Sequence, residues 1–159
     1  MNDSLSERCI LAIISALTQI HSTNGYYTNA GSNVLRAQRY TDNPSLPAII
    51  VWEDSKAPYS LDTNFRYVNV ELNISVEGHV TASQNTTGVN LSRIEADIWK
   101  AVLKSAPAGI LKDSDGELGK ISWERSDLLN RPDGASSESV SLKFSIRYKQ
   151  KYADPTLNK

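Results

Sequence analysis

Between residues 65 and 80, five aliphatic side chains, Val68, Val70, Leu72, Ile74 and Val76, occupy every second position, with Tyr67, Asn69, Glu71, Asn73, Ser75 and Glu77 interleaved. Successive side chains on a strand point to opposite faces, so this spacing sends the aliphatic groups to one side of a sheet and the polar groups to the other. The stretch is a half-buried strand. Residues 140–152 repeat the pattern, with Val140, Leu142, Phe144, Ile146, Tyr148 and Tyr152 in step and Lys143, Ser145, Arg147, Lys149 and Lys151 between them. Two long one-sided strands need a cover for their apolar face, and the rest of the chain has helices to supply it.

Ser4 and Glu7 have the spacing of a capping box, and Ile10, Ile13, Ile14, Leu17 and Ile20 then recur at three- and four-residue steps. A helix is expected from there to about His21, where the turn-forming cluster 22–25 ends it. Leu91, Ile94, Ile98, Ala101 and Val102 predict a second helix, capped by Ser92 and Glu95 and stopped by Pro107 and Gly109. The short apolar run 48–52 reads as a strand, joined across a wide loop to the 65–80 strand, and 120–125, with Ile121 and Trp123, reads as another. Segment 26–37 fits a short hairpin or an irregular crossing, and Pro44 and Pro47 bracket a turn. Glu71 and Glu77 on one long strand and Lys143, Arg147 and Lys149 on the other favour cross-strand pairing, so the two should be sheet neighbours. The expected fold is α+β: a two-layer sandwich in which a largely antiparallel sheet of four to five strands carries two helices packed on one face, in the order α-β-β-α-β-β. One domain over 1–155 and a short tail, 156–159, complete the expectation.

A formal charge of -1 removes any long-range attraction to nucleic acid or anionic membrane. No stretch approaches the ~18 apolar residues of a membrane span, and the N-terminus lacks a signal-peptide pattern, so the chain is expected to stay in the cytoplasm. Cys9, the single cysteine, cannot form an internal disulfide and sits in an apolar run, where a small core residue is expected.

Chemistry-bearing patterns are sparse. Asp113-Ser114-Asp115-Gly116 begins like a calcium loop but lacks the third acidic ligand and the closing glutamate, so it reads as a turn within 112–119. Gly119-Lys120 lacks the other residues of a phosphate-binding loop. His21 and His79 stand in no cluster of metal-ligand spacing and read as element-end residues. No serine lies in a nucleophile elbow. No catalytic, metal-binding or cofactor-binding residue is assigned, and the chain is expected not to be an enzyme. Residues 147–152 interleave cations with tyrosines as single-strand binders do, but on a strand the two types point to opposite faces, which favours a solvated or subunit-facing edge. Three polar segments, 53–64, 80–87 and 127–137, exceed the usual connection length and are read as loops that carry binding surfaces.

The chain as a whole, over roughly residues 1–155, resembles the bacteriophage tail terminator proteins, also called tail completion or minor tail proteins. The resemblance rests on the N-terminal amphipathic helix, Tyr27-Thr28-Asn29-Ala30-Gly31 with Val34 and Arg36 after it, and Pro47-Ala48-Ile49-Ile50-Val51. The 68–76 strand, Ala96-Asp97-Ile98, and Ile146-Arg147-Tyr148 followed by Asp154-Pro155 complete it. It implies a structural subunit of the virion tail, made in the host cytoplasm, that assembles as a hexameric ring on the completed tail tube, stops its growth and presents a surface to the head. The implied partners are further copies of itself, the tail tube protein and a head-tail joining protein. No membrane and no sequence-specific nucleic acid are implied, although DNA can pass through such a ring. A head-tail connector or tube subunit is the neighbouring reading, and a small enzyme without a recognisable site is the reading from another class.

Overall fold

The computed structural model describes residues 3–36, 45–82, 88–129 and 135–158. The elements are α1 (Leu5–Leu17), β1 (Val34–Arg36), β2 (Ala48–Leu61), β3 (Tyr67–Thr81), α2 (Val89–Ser105), β4 (Ile110–Asp113), β5 (Gly116–Leu129), β6 (Ser137–Lys151) and β7 (Asp154–Asn158). They form one seven-stranded sheet in the order β1-β2-β3-β6-β5-β4, with β7 paired to β6. The expected two-layer sandwich, a sheet of four to five strands with two helices packed on one face, does not form. Half of the described residues are strand, and the sheet curls into a half-barrel. The difference comes from β2 and β5, which run far past their apolar starts, and from the short strands β1, β4 and β7.

β3 and β6 are antiparallel neighbours in continuous register from Tyr67↔Lys151 to Thr81↔Ser137. Glu71 lies opposite Arg147, whose Nε donates to the carboxylate at 2.6 Å, so the cross-strand charge match is realised. The alternation holds as read: Val68, Val70, Leu72, Ile74 and Val76 join Val140, Leu142, Phe144, Ile146 and Tyr148 in one apolar cluster with Ile10, Ile13 and Leu17 of α1 and Ile94, Ile98 and Val102 of α2. Ile14 is only partly buried against it. Gly78 continues the inward set of β3, and a Cβ there would sit 2.9 Å from Ile98 Cδ1 and 3.0 Å from Ile94 Cγ1. The missing side chain lets α2 approach the sheet.

α1 starts as expected, with the Ser4 hydroxyl accepting from the Glu7 N–H at 3.2 Å. It stops at Leu17, short of His21, and the next residues pack as irregular backbone against Gly31. The Gly31 N–H donates to Ile20 O at 2.9 Å, and a Cβ on Gly31 would lie 2.7 to 2.8 Å from the Thr18 and Ile20 backbone. α2 departs from expectation at its start. Gly88, in a left-handed conformation, is its N-cap, and Ser92 is already inside the first turn, donating its N–H to Gly88 O. The Ser92–Glu95 capping box is therefore not used. Segment 26–36 is an irregular crossing that ends in β1, which pairs parallel to β2.

The polar segments 53–64 and 127–137 are corrected as well. Residues 53–61 belong to β2 and 127–129 to β5, and only 62–66 form the hairpin turn. Their strand structure is held by polar cross-strand contacts that leave no hydrophobic period: Asn73 donates to Ser55 at 3.1 Å, Asn69 donates to Ser60 at 2.6 Å, and Lys143 reaches Asp54 at 3.0 Å. The expected turn 112–119 is likewise mostly strand, the tip of the β4–β5 hairpin. The Pro44 turn, most of the expected 80–87 loop, and Pro132 and Gly134 lie outside the described residues.

Candidate interaction surface

The residues singled out for chemistry are placed as structure. Asp113 accepts from the Asp115 and Gly116 amides at 2.9 and 3.1 Å and from Arg8 at 2.7 and 2.9 Å, so the would-be calcium carboxylate ties a hairpin turn to α1. The Arg8 guanidinium holds that carboxyl below its ordinary range. Cys9 is fully buried, and burial pushes its thiol up to about 12, which leaves it protonated and inert. His79 is a nearly buried strand residue with Nε2 at 3.2 Å from Glu77, and His21 precedes a single 3-10 turn. Among the described residues, no group of His, Cys, Asp and Glu side chains is placed to hold a metal ion. No helix among them is long and apolar enough to cross a membrane.

Two of the motifs that carry the family resemblance meet in space. Asp97, 1% exposed on α2, accepts from the Tyr27 and Thr28 amides at 2.9 and 2.7 Å and from the Thr28 hydroxyl at 2.8 Å. A buried carboxylate saturated this way anchors the 26–31 crossing to the helix. Arg36 does the same at the other end, donating to Glu7 at 2.6 and 2.8 Å and to Glu53 at 2.5 Å, so that α1, β1 and β2 share one cation. The pairing holds the Glu7 carboxyl below its ordinary range and raises the pKa of the Arg36 guanidinium.

The surface left for binding is the sheet face turned away from the core cluster. It carries Asn69, Glu71 and Asn73 of β3 beside Lys143, Arg147 and Lys149 of β6, with Ser75 and Ser145 buried between them. On this face the tyrosine and cation question resolves differently from the sequence expectation. Tyr148 does point inward and is buried, its phenol pushed up to about 12 by burial, but the outward cations find tyrosines on neighbouring strands. Arg147 lies 5.2 Å from the Tyr59 ring centre and Lys149 lies 4.8 Å from that of Tyr67. Period-two reasoning along one strand could not see partners supplied across the sheet. Tyr59, Asn69, Gly119, Lys120, Arg147 and Lys149 line an open groove of about 610 Å³ here.

Two further features were not foreseen. Among the described residues, β1 covers β2 only at 49–51, and β4 covers β5 only at 116–120, so 53–61 and 121–129 each have one unpaired edge. Exposed apolar groups gather beside both: Leu61, Phe65 and Tyr152 near the first, with the Phe65 and Tyr152 rings 6.4 Å apart, and Trp123, Leu128 and Leu129 on the second. No family model matches this chain, and no curated protein matches it.

Proposed function

We propose that this chain is a structural subunit of a bacteriophage tail, a terminator that assembles into a ring, a hexamer when complete, on the end of the tail tube. The ring ends tube elongation and presents the surface to which the head-tail joining protein attaches. It works in the virion tail, is assembled in the host cytoplasm, and has no catalytic residue or cofactor.

The observation that carries this reading is the shape of the sheet. Four long strands form a curved wall with helices packed against the apolar side and a continuous polar face on the other, as suits a segment of a tubular lining through which DNA can pass. Asp97, whose buried carboxylate is taken up by the Tyr27 and Thr28 amides and the Thr28 hydroxyl as an anchor, supports the same reading.

The test is addition of the purified protein to growing tail tubes, followed by electron microscopy. Caps at tube ends and tubes of uniform length are expected, with overlong tubes when the protein is omitted. A protein that stays off tube ends and leaves tube length unchanged overturns the proposal. Incorporation all along the tube identifies a tube subunit instead.

A further inference from the structure

We propose that the groove between Tyr59 and Lys120 on the outer sheet face binds the phosphate backbone of single-stranded nucleic acid, with a base against the Tyr59 ring. The site lies within a single copy, so it is tested on the free subunit and stands or fails apart from the ring.

Four strands build it. Ser60 of β2 pairs with Asn69 of β3 and Asn69 with Lys149 of β6, while Arg147, two residues back along β6, pairs with Lys120 of β5. Arg147 and Lys149 are therefore about 7 Å apart along one strand, and Lys120 lies one strand, about 5 Å, to the side. Gly119 lets β5 come this close to β6: a Cβ there would lie 2.6 Å from Arg147 O and 2.9 Å from Tyr148 Cβ. Tyr59 arrives from the opposite side. It falls at the register shift between Pro58 and Ser60, and a bulge of this kind re-aims a side chain out of the regular alternation. Its ring, on a residue 52% exposed, reaches across β3, and the ring centre lies 5.2 Å from Arg147 Cζ. The outward cations of β6 thus gain the aromatic partner that their own strand turns inward.

Charge separates this groove from the rest of the face. Toward the other end each cation has its own carboxylate, Lys143 lying 3.0 Å from Asp54 and Arg125 2.9 Å from Asp127. In the groove, Lys120 and Lys149 have no carboxylate within ion-pairing distance among the described residues, and Arg147 bonds Glu71 through Nε alone. Glu117 is the one carboxylate of the lining. Free cations beside an exposed ring suit an anion that also carries flat apolar surface. A single strand of nucleic acid has both, whereas a phosphate ion or a run of acidic side chains has nothing for the ring and a duplex keeps its bases stacked inside. At about 610 Å³ the groove matches sites for ligands of nucleotide size and not for a lone phosphate. The formal charge of -1 adds no long-range attraction, so the contact is local and salt-dependent.

The experiment is fluorescence anisotropy of a labelled short oligothymidylate titrated with the free protein. Three phosphate contacts give a slope of about -2 in log affinity against log salt, so affinity should fall about twentyfold between 50 and 200 mM salt. Lys120→Gln, at an exposed position, leaves two contacts, and the fall should shrink to about sevenfold. Tyr59→Ala should weaken binding about tenfold at every salt concentration with the slope unchanged, and Tyr59→Phe should bind as the wild type does. Competition on the wild-type protein decides the matter if a variant does not fold: unlabelled oligothymidylate should displace the probe at least about tenfold better than inorganic phosphate, polyglutamate or a duplex at equal charge. Absence of binding at 50 mM salt overturns the proposal. So does binding that ignores Tyr59→Ala, or equal displacement by any of the three competitors, which would make the groove a general anion site or a seat for an acidic protein.

Discussion

The inner strands β3 and β6 and the outer strands β2 and β5 have nearly the same length but opposite circumstances. Each inner strand is paired on both sides and buries one whole row of side chains, while each outer strand, past its first residues, is paired on one side among the described residues and exposes nearly everything else. The inner pair therefore determines the stability of the domain. The outer pair costs little to alter and has unspent backbone hydrogen-bonding capacity. If that division is real, substitutions should sort by strand and not by residue type.

The largest effect is expected at the centre of the inner pair. Leu72 is fully buried, opposite Ile146 on β6 and Lys56 on β2, and Leu72→Ala should cost about 3–5 kcal/mol in urea unfolding, through lost transfer energy and the remaining cavity. A loss below ~1 kcal/mol would mean that the centre does not hold the domain.

Next comes the anchor that fixes α2 to the 26–31 crossing. Asp97→Ala strands two backbone amides and a hydroxyl, for a cost of about 2–3 kcal/mol, whereas Asp97→Asn keeps an acceptor and should lose less. Equal losses for the two substitutions would assign the effect to packing.

The same comparison explains what was legible in the sequence. β3, β6 and the face of α1 were readable because each buries one side, and one-sided burial imposes a period. Residues 120–125 were legible as a strand, with Ile121 buried, but residues 53–61 and 127–129 bury neither side, so nothing in Glu53-Asp54-Ser55-Lys56 or in Asp127 distinguishes strand from loop. Their structure is imposed by the neighbouring strand's hydrogen bonds. The candidate interaction surface was hidden for that reason: the exposure that frees an edge for a partner erases the pattern that would announce a strand. Ser92–Glu95 failed in another way, since a left-handed Gly88 began the helix one turn before the capping pair.

A smaller effect, dependent on pH, separates the ties of α1 from the sheet pairing. Glu7 and Asp113 both have depressed carboxyl pKa values, caused first by hydrogen bonds from Arg36 and Arg8. A depressed carboxyl stabilises the fold above its unfolded pKa and ceases to do so as pH falls through the folded value. Stability should therefore decline below about pH 4, by of order 1 kcal/mol for the two together after allowance for solvent screening. A protein with Arg8→Ala and Arg36→Ala should begin less stable and show a flatter pH profile of its unfolding midpoint. An unchanged slope would place the acid-sensitive groups elsewhere.

The smallest effect on the free subunit is the most discriminating for the outer strands. Leu128 is largely exposed, so Leu128→Ser should change unfolding free energy by less than about 0.5 kcal/mol, as surface substitutions do. Amide exchange in the free protein should divide the same way. Amides of β3 and β6 should exchange only through global unfolding, and those of 121–129 that face away from β6 should exchange by local opening. A destabilisation by Leu128→Ser comparable to that of Leu72→Ala, or protection of the 121–129 edge in the free subunit, would show that part of this chain already covers the edge. The two classes of strand would then differ only in sequence pattern and not in their availability to a neighbour.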